Sequence, residues 1–162
     1  MTFEEARAQF PVLERYAYLN AGTNGPLARS TVAAVVDQVQ HDLAGGRSGQ
    51  AWIDRVFALR DEARAGLAAA IDVDPELLAL TDSTTRGCAT VLAGLGIAAG
   101  DEIVITDQEH FGLTGPVHAS GAHVVVTAGD EESILAAVTP RTRLIATSHV
   151  LWTTGRRLEL ER

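Results

Sequence analysis

The chain has 162 residues, 46% of them apolar and 21% charged, which is the composition of a folded globular protein rather than a disordered or fibrous one. Its formal net charge of -8, with the acidic residues dispersed, excludes the basic face that a nucleic-acid-binding role needs. There is no basic-then-apolar leader and no run near the roughly 18 apolar residues of a membrane span, and the single Cys88 excludes an internal disulfide, so a cytoplasmic protein without membrane contact is expected.

Thr2 followed by Glu5 fits a capping box opening a short first helix that Pro11 stops. The next stretch, Tyr18-Leu19-Asn20-Ala21-Gly22-Thr23-Asn24-Gly25-Pro26, is rich in residues that accept unusual backbone angles and reads as a loop. Val32, Val35, Val36, Val39 and Leu43 then recur at helical spacing before Gly45-Gly46, predicting an amphipathic helix. Trp52, Val56, Leu59, Ala63 and Leu67 predict a second long helix, ending near Asp74-Pro75.

Beyond that point short β-rich runs alternate with helical segments. Strands are expected at Leu77 to Thr81, Ile103 to Thr106, His123 to Thr127 and Leu144 to Val150. Helices are expected at Thr85 to Leu95, with Cys88, Val91, Leu92 and Leu95 on one face, around Leu113 to Ala119, and at Glu131 to Val138. This alternation predicts an α/β fold, a mainly parallel sheet with helices on both faces. After the fourth strand the sequence runs Leu158-Glu159-Leu160-Glu161-Arg162, where such a pattern ordinarily continues into another helix, so the sheet is expected to be unfinished.

Three polar segments fall at expected strand ends, where open α/β sheets bind ligands. Ser83-Thr84-Thr85 links a strand to a helix start, where free N–H groups suit an anionic phosphate, although helix capping alone also explains these hydroxyls. Asp107-Gln108-Glu109-His110-Phe111-Gly112 places an imidazole where it meets a flat ligand or serves as an ordinary loop histidine. Thr147-Ser148-His149-Val150-Leu151-Trp152-Thr153-Thr154-Gly155 adds polar and aromatic groups to the same rim.

Rival motifs fail on context. Gly94-Leu95-Gly96 with Gly100 follows a helix and precedes a strand, the reverse of a dinucleotide fingerprint. Gly46-Arg47-Ser48-Gly49-Gln50 lacks the final glycine of a hydrolase nucleophile turn, and a P-loop needs a lysine. The five histidines, His118 and His123 included, lack metal-ligand spacing, so no metal is expected. Cys88 sits on a predicted apolar stripe and reads as core.

With the opening Tyr18-Leu19-Asn20, the Ser83-Thr84-Thr85 turn, Glu109-His110, the Thr139-Pro140-Arg141-Thr142-Arg143-Leu144 lead and Ser148-His149-Val150 with Thr154-Gly155, the chain resembles class V aminotransferases, including cysteine desulfurases and related carbon–sulfur lyases. The resemblance implies a fold-type I enzyme dependent on pyridoxal 5'-phosphate (PLP). Residues 1–29 would be an N-terminal helix and active-site loop, and residues 30–162 an incomplete large α/β domain. It implies PLP-phosphate binding by Ser83, Thr84 and Thr85, ring stacking by His110, and an amino-acid substrate met by Asn20. Desulfurases carry an asparagine beside the cofactor's phenolic oxygen where this chain has Trp152, so Thr153 is the candidate donor there.

All 13 basic Lys/Arg side chains are arginine. No catalytic residue of the family is therefore assigned, because the Schiff-base lysine is absent and the aspartate that pairs with the pyridine nitrogen has no counterpart. The expectation is the N-terminal part of a PLP-dependent enzyme, performing transamination or cysteine desulfurase-type chemistry and homodimeric when full length, but inactive alone. The alternative is a truncated, non-catalytic α/β binding or regulatory module.

Overall fold

The computed structural model describes residues 2–159 and divides at Leu78/Ala79 into two compact units. The first is helical. Helix α1 (Phe3–Ala8) opens with the expected capping box, in which Thr2 Oγ1 accepts from Glu5 N–H at 3.2 Å and Glu5 Oε2 accepts from Thr2 N–H at 2.7 Å. Pro11 starts a 3-10 turn, Pro11–Glu14. Helix α2 (Arg29–Gly45) ends at Gly46 with φ 77°, a left-handed angle that only glycine takes without strain. Helix α3 (Gln50–Ala70) follows Gly49, and Arg55 Nε donates to Gln38 Oε1 of α2 at 2.9 Å. The apolar stripe that predicts α2 is real in spacing, yet Val32, Val35, Val36, Val39 and Leu43 are all exposed.

The second unit is a three-layer α/β arrangement around a parallel sheet of order β2-β1-β3, formed by β1 (Glu102–Thr106), β2 (His123–Thr127) and β3 (Thr142–Ile145). Every residue of β1 is buried, as a central parallel strand requires. Its side chains alternate between the two faces. Ile103 and Ile105 pack with Leu92 of α4 (Thr84–Gly94) and Val117 of α5 (Phe111–Ala119). Val104 packs on the other face with Ile134 of α6 (Glu131–Ala136), Leu151 and Leu158. Helices on both faces are thus observed, and among the described residues β2 and β3 each have a ladder neighbour on one side only.

Two expected strands differ. Leu77 to Thr81 is not a strand: Pro75–Leu77 forms a 3-10 turn and no neighbour among the described residues supplies a ladder. The expected Leu144–Val150 strand pairs with β1 only as far as Ala146, whose N–H donates to Val104 O at 2.9 Å; beyond it the Ser148 N–H turns to Glu109 and Val150 bridges Arg157. On α4, Leu92 is core and Cys88 half-buried, while Val91 of the same predicted face is exposed. Leu160, Glu161 and Arg162 of the expected C-terminal continuation lie outside the described residues. Among those residues no helix is long and apolar enough to cross a membrane.

Candidate functional site

The carboxyl ends of the parallel strands form one rim of the second unit, and five of the six candidate residues lie in this unit. Ser83 is the N-cap of α4, its Oγ accepting from Arg86 N–H at 3.2 Å. Thr84 and Thr85 are the first two helical residues and are exposed, at a position where backbone N–H groups lack intrahelical partners. The capping reading holds for Ser83, while the Thr84 and Thr85 side chains are exposed. Asp82 accepts from Ser83 Oγ at 3.2 Å and faces Arg86 at 3.8 Å, so the turn carries both signs of charge.

His110 caps α5. Its Nδ1 accepts the N–H of Gly112 at 3.0 Å, so the ring N–H of the neutral imidazole lies at Nε2. The ring is flanked by Phe111, centroids 3.8 Å apart and tilted 37°, and by Trp152, edge-on at 5.1 Å and 87°. A Cβ at Gly112 would stand 3.2 Å from His110 Nδ1 and 3.3 Å from Thr85 Oγ1. Glycine at this position is what allows the hydroxyl turn and the imidazole to converge. The Thr84 and Thr85 hydroxyls and the first N–H groups of α4 are donors suited to an anion, and the His110 ring stands beside them.

Thr153 and Thr154 donate their hydroxyls to Gln108 Oε1 at 2.9 and 3.1 Å, two residues before His110. Thr153 reaches a ligand as a donor only after its hydroxyl rotates away from Gln108. Asn20 belongs to the first unit, where its Oδ1 accepts from Thr23 Oγ1 at 3.0 Å and Tyr18 Oη donates to Asn24 O at 2.6 Å. These four side chains line a shallow groove of about 280 Å³.

One residue that reading the sequence leaves without a role is Glu109. It is 8% exposed. Its Oε1 accepts from Thr106 Oγ1 at 2.8 Å, Thr147 Oγ1 at 2.8 Å and Ser148 N–H at 3.0 Å, while Oε2 accepts from Ser148 Oγ at 2.6 Å. Burial pushes the carboxyl pKa up, but the bonds from the Ser148 side chain and backbone, Thr106 and Thr147 outweigh it and hold the pKa below the ordinary value. The only signal in the sequence is a glutamate at a strand exit and a hydroxyl pair, Thr147-Ser148, at another.

Residues 17–162 match the family model described as aminotransferase class V. The chain belongs to the class V aminotransferase family. A probable cysteine desulfurase of Methanothermobacter thermautotrophicus is 26% identical over 160 residues, covering 93% of this chain and 40% of the relative. The isopenicillin N epimerase of Streptomyces clavuligerus is 31% identical over 170 residues, covering 94% and 41%. Among solved structures, a variant of C-DES with glycine covalently linked to its PLP cofactor has a TM-score of 0.87 at 34% identity, covering 95% of this chain and 43% of that one. The cystine C–S lyase C-DES with its reaction product cysteine persulfide gives 0.86, also at 34% identity, covering 94% and 43%. These neighbours are fold-type I PLP enzymes, and this class V chain carries part of their large α/β domain. It spans 40 to 43% of the length of these four relatives.

Proposed function

We propose that this class V chain supplies the phosphate-binding and ring-orienting part of a PLP-dependent enzyme acting on an amino acid, by transamination or by cleavage of a carbon–sulfur bond. The observation that carries the reading is the convergence of Thr85 and His110 on Gly112. Ser83, Thr84 and Thr85, with the first N–H groups of α4, would hold the phosphate, where the helix dipole adds to their hydrogen bonds. His110 would orient the pyridine ring, held in one tautomer by Gly112. Thr153 would reach the phenolic oxygen, and Asn20, in the loop of residues 1–29, would meet the substrate. Residues 30–162 would be the incomplete large domain. When bound, the cofactor supplies the electron sink for charge developing at the amino acid's α-carbon.

The chain has no lysine, so the amine that anchors PLP and moves the substrate proton must come from outside these residues. On this reading the chain alone binds PLP without turning over amino acids, and the working enzyme is a cytoplasmic homodimer. The likeness to C-DES, whose reaction product is cysteine persulfide, supports carbon–sulfur chemistry. The identity to an isopenicillin N epimerase supports a second reading, epimerisation at an amino-acid α-carbon.

The test is to incubate the protein expressed from its native gene with PLP and cystine, or with other amino acids in D₂O. Persulfide, keto-acid and ammonia release, solvent deuterium at the α-carbon and sedimentation are then followed. Cysteine persulfide with pyruvate and ammonia marks the lyase, keto acid without ammonia the transaminase, and deuterium incorporation with loss of chirality the epimerase. No uptake of PLP overturns the reading.

A further inference from the structure

Three consecutive residues beyond the carboxyl end of β1 each bond or pack against the segment that follows β3. Gln108 accepts from Thr153 and Thr154, Glu109 accepts from Thr147 and Ser148, and the ring of His110 meets the edge of Trp152. Of the three contacts the middle one is different in kind. Gln108 makes exposed bonds and His110 an aromatic contact, whereas Glu109 is a buried carboxylate with no ion-pair partner among the described residues.

We propose that Glu109 is a positioning residue for the cofactor rim: its carboxylate locks the Thr147–Ser148 backbone to β1, and so sets where His110 and the Trp152–Thr153 turn stand relative to each other. The proposal rests on the PLP reading for its consequence, not for its geometry. Both carboxylate oxygens face only donors, one amide N–H and three hydroxyls. An ionised carboxylate is acceptor-only and satisfies all of them. A glutamine of the same shape would keep one acceptor oxygen but replace the charge-assisted bonds by weaker neutral ones, and its N–H₂ would face the Ser148 N–H. The lowered pKa of Glu109 agrees with a carboxylate that stays ionised in this pocket.

β1 also carries an internal control. Glu102 is equally buried, at the opposite end of the same strand, where its carboxylate accepts from Arg141 and Thr139 far from the rim. A residue that matters only for stability should resemble Glu102 in its effects; one that positions the rim should not.

The experiment uses the protein expressed from its native gene with three substitutions, Glu109→Gln, Glu109→Asp and Glu102→Gln. Before PLP is added, the near-ultraviolet circular dichroism of Trp152 is isolated as the difference from Trp152→Phe; after loading, the dissociation rate of PLP and its visible dichroism are read. Glu109→Gln should lose most of the Trp152 band and release PLP roughly tenfold faster, the size expected for one charge-assisted hydrogen bond. Glu109→Asp, which keeps the charge and remains measurable if the glutamine variant does not fold, should lie between that variant and wild type. Glu102→Gln should melt earlier but keep the Trp152 band and the PLP release rate. A wild-type Trp152 band in Glu109→Gln, or equal loss in Glu102→Gln, overturns the proposal. A wild-type protein that takes up no PLP overturns the functional reading instead, and the Trp152 arm then decides the role of Glu109 alone.

Discussion

Gly112 donates its backbone N–H to His110 Nδ1 at 3.0 Å, and a Cβ at Gly112 would stand 3.2 Å from that same nitrogen. Alanine here would press on His110 and Thr85 together while leaving the helix backbone comfortable. Helix propensity favours the change by about 1 kcal/mol and overpacking opposes it by about 1–3 kcal/mol, so Gly112→Ala should lose at most about 2 kcal/mol of stability. PLP retention should fall much more than stability, since both displaced groups hold the cofactor on the proposed reading. Equilibrium dialysis beside a thermal melt separates the two.

Thr85→Ala should weaken PLP binding by about 1.5–3 kcal/mol, the value of a hydrogen bond to a charged phosphate. Ser48→Ala, beside the exposed Gly49 that precedes α3, should leave it unchanged. Equal affinity in the two variants would remove the hydroxyl turn from the site.

Acid should release the Glu109 anchor. A carboxyl whose folded pKa lies below its unfolded value of 4.5 adds stability that is complete above 4.5 and disappears as the pH falls through the depressed folded value. At neutral pH, Glu109→Gln should cost about 2–4 kcal/mol. That gap between wild type and variant should narrow below about pH 4.5. Urea midpoints taken from neutral to acid pH give the slope, and a gap that widens toward acid would refute the ionised state.

Expressed alone, these 162 residues should self-associate. Leu43 is 85% exposed within a whole apolar stripe on α2, and Val126 of β2 and Ile145 of β3 are exposed on strands that among the described residues have a ladder neighbour on one side only. Sedimentation velocity should show species larger than a monomer, and a monodisperse monomer would contradict this.

What could be read from the sequence was what repeats locally. The unbroken apolar run Ile103-Val104-Ile105 announces a strand buried on both faces, and Thr2 with Glu5 announces a helix start, because each signal is complete within a few residues. The same logic over-reads Leu77 to Thr81 as a strand, since a strand is defined by a neighbour that local pattern does not reveal. His110 is legible as a polar residue at a strand end, whereas Ser83, Thr84 and Thr85 are legible as a helix start although the strand expected before them is absent among the described residues; the structure brings Thr85 and His110 together. Glu109 was not visible as a hub, because its partners Thr147 and Ser148 lie 38 and 39 residues away and only folding brings them within reach.

That separation also orders events as the sheet assembles. The side-chain bond from Thr127 to Ile105 joins β2 to β1 across 22 residues, while the Glu109 bonds bring in the end of β3 across 38 to 39. Closing the longer loop costs only about 0.5 kcal/mol more, but its span also contains α6, so β1 and β2 are expected to pair early and the carboxylate to engage its donors after the rate-limiting step. A substitution at Glu109 would then leave the refolding rate nearly unchanged and concentrate its effect on the unfolding rate, making this carboxylate a determinant of how long the assembled rim persists.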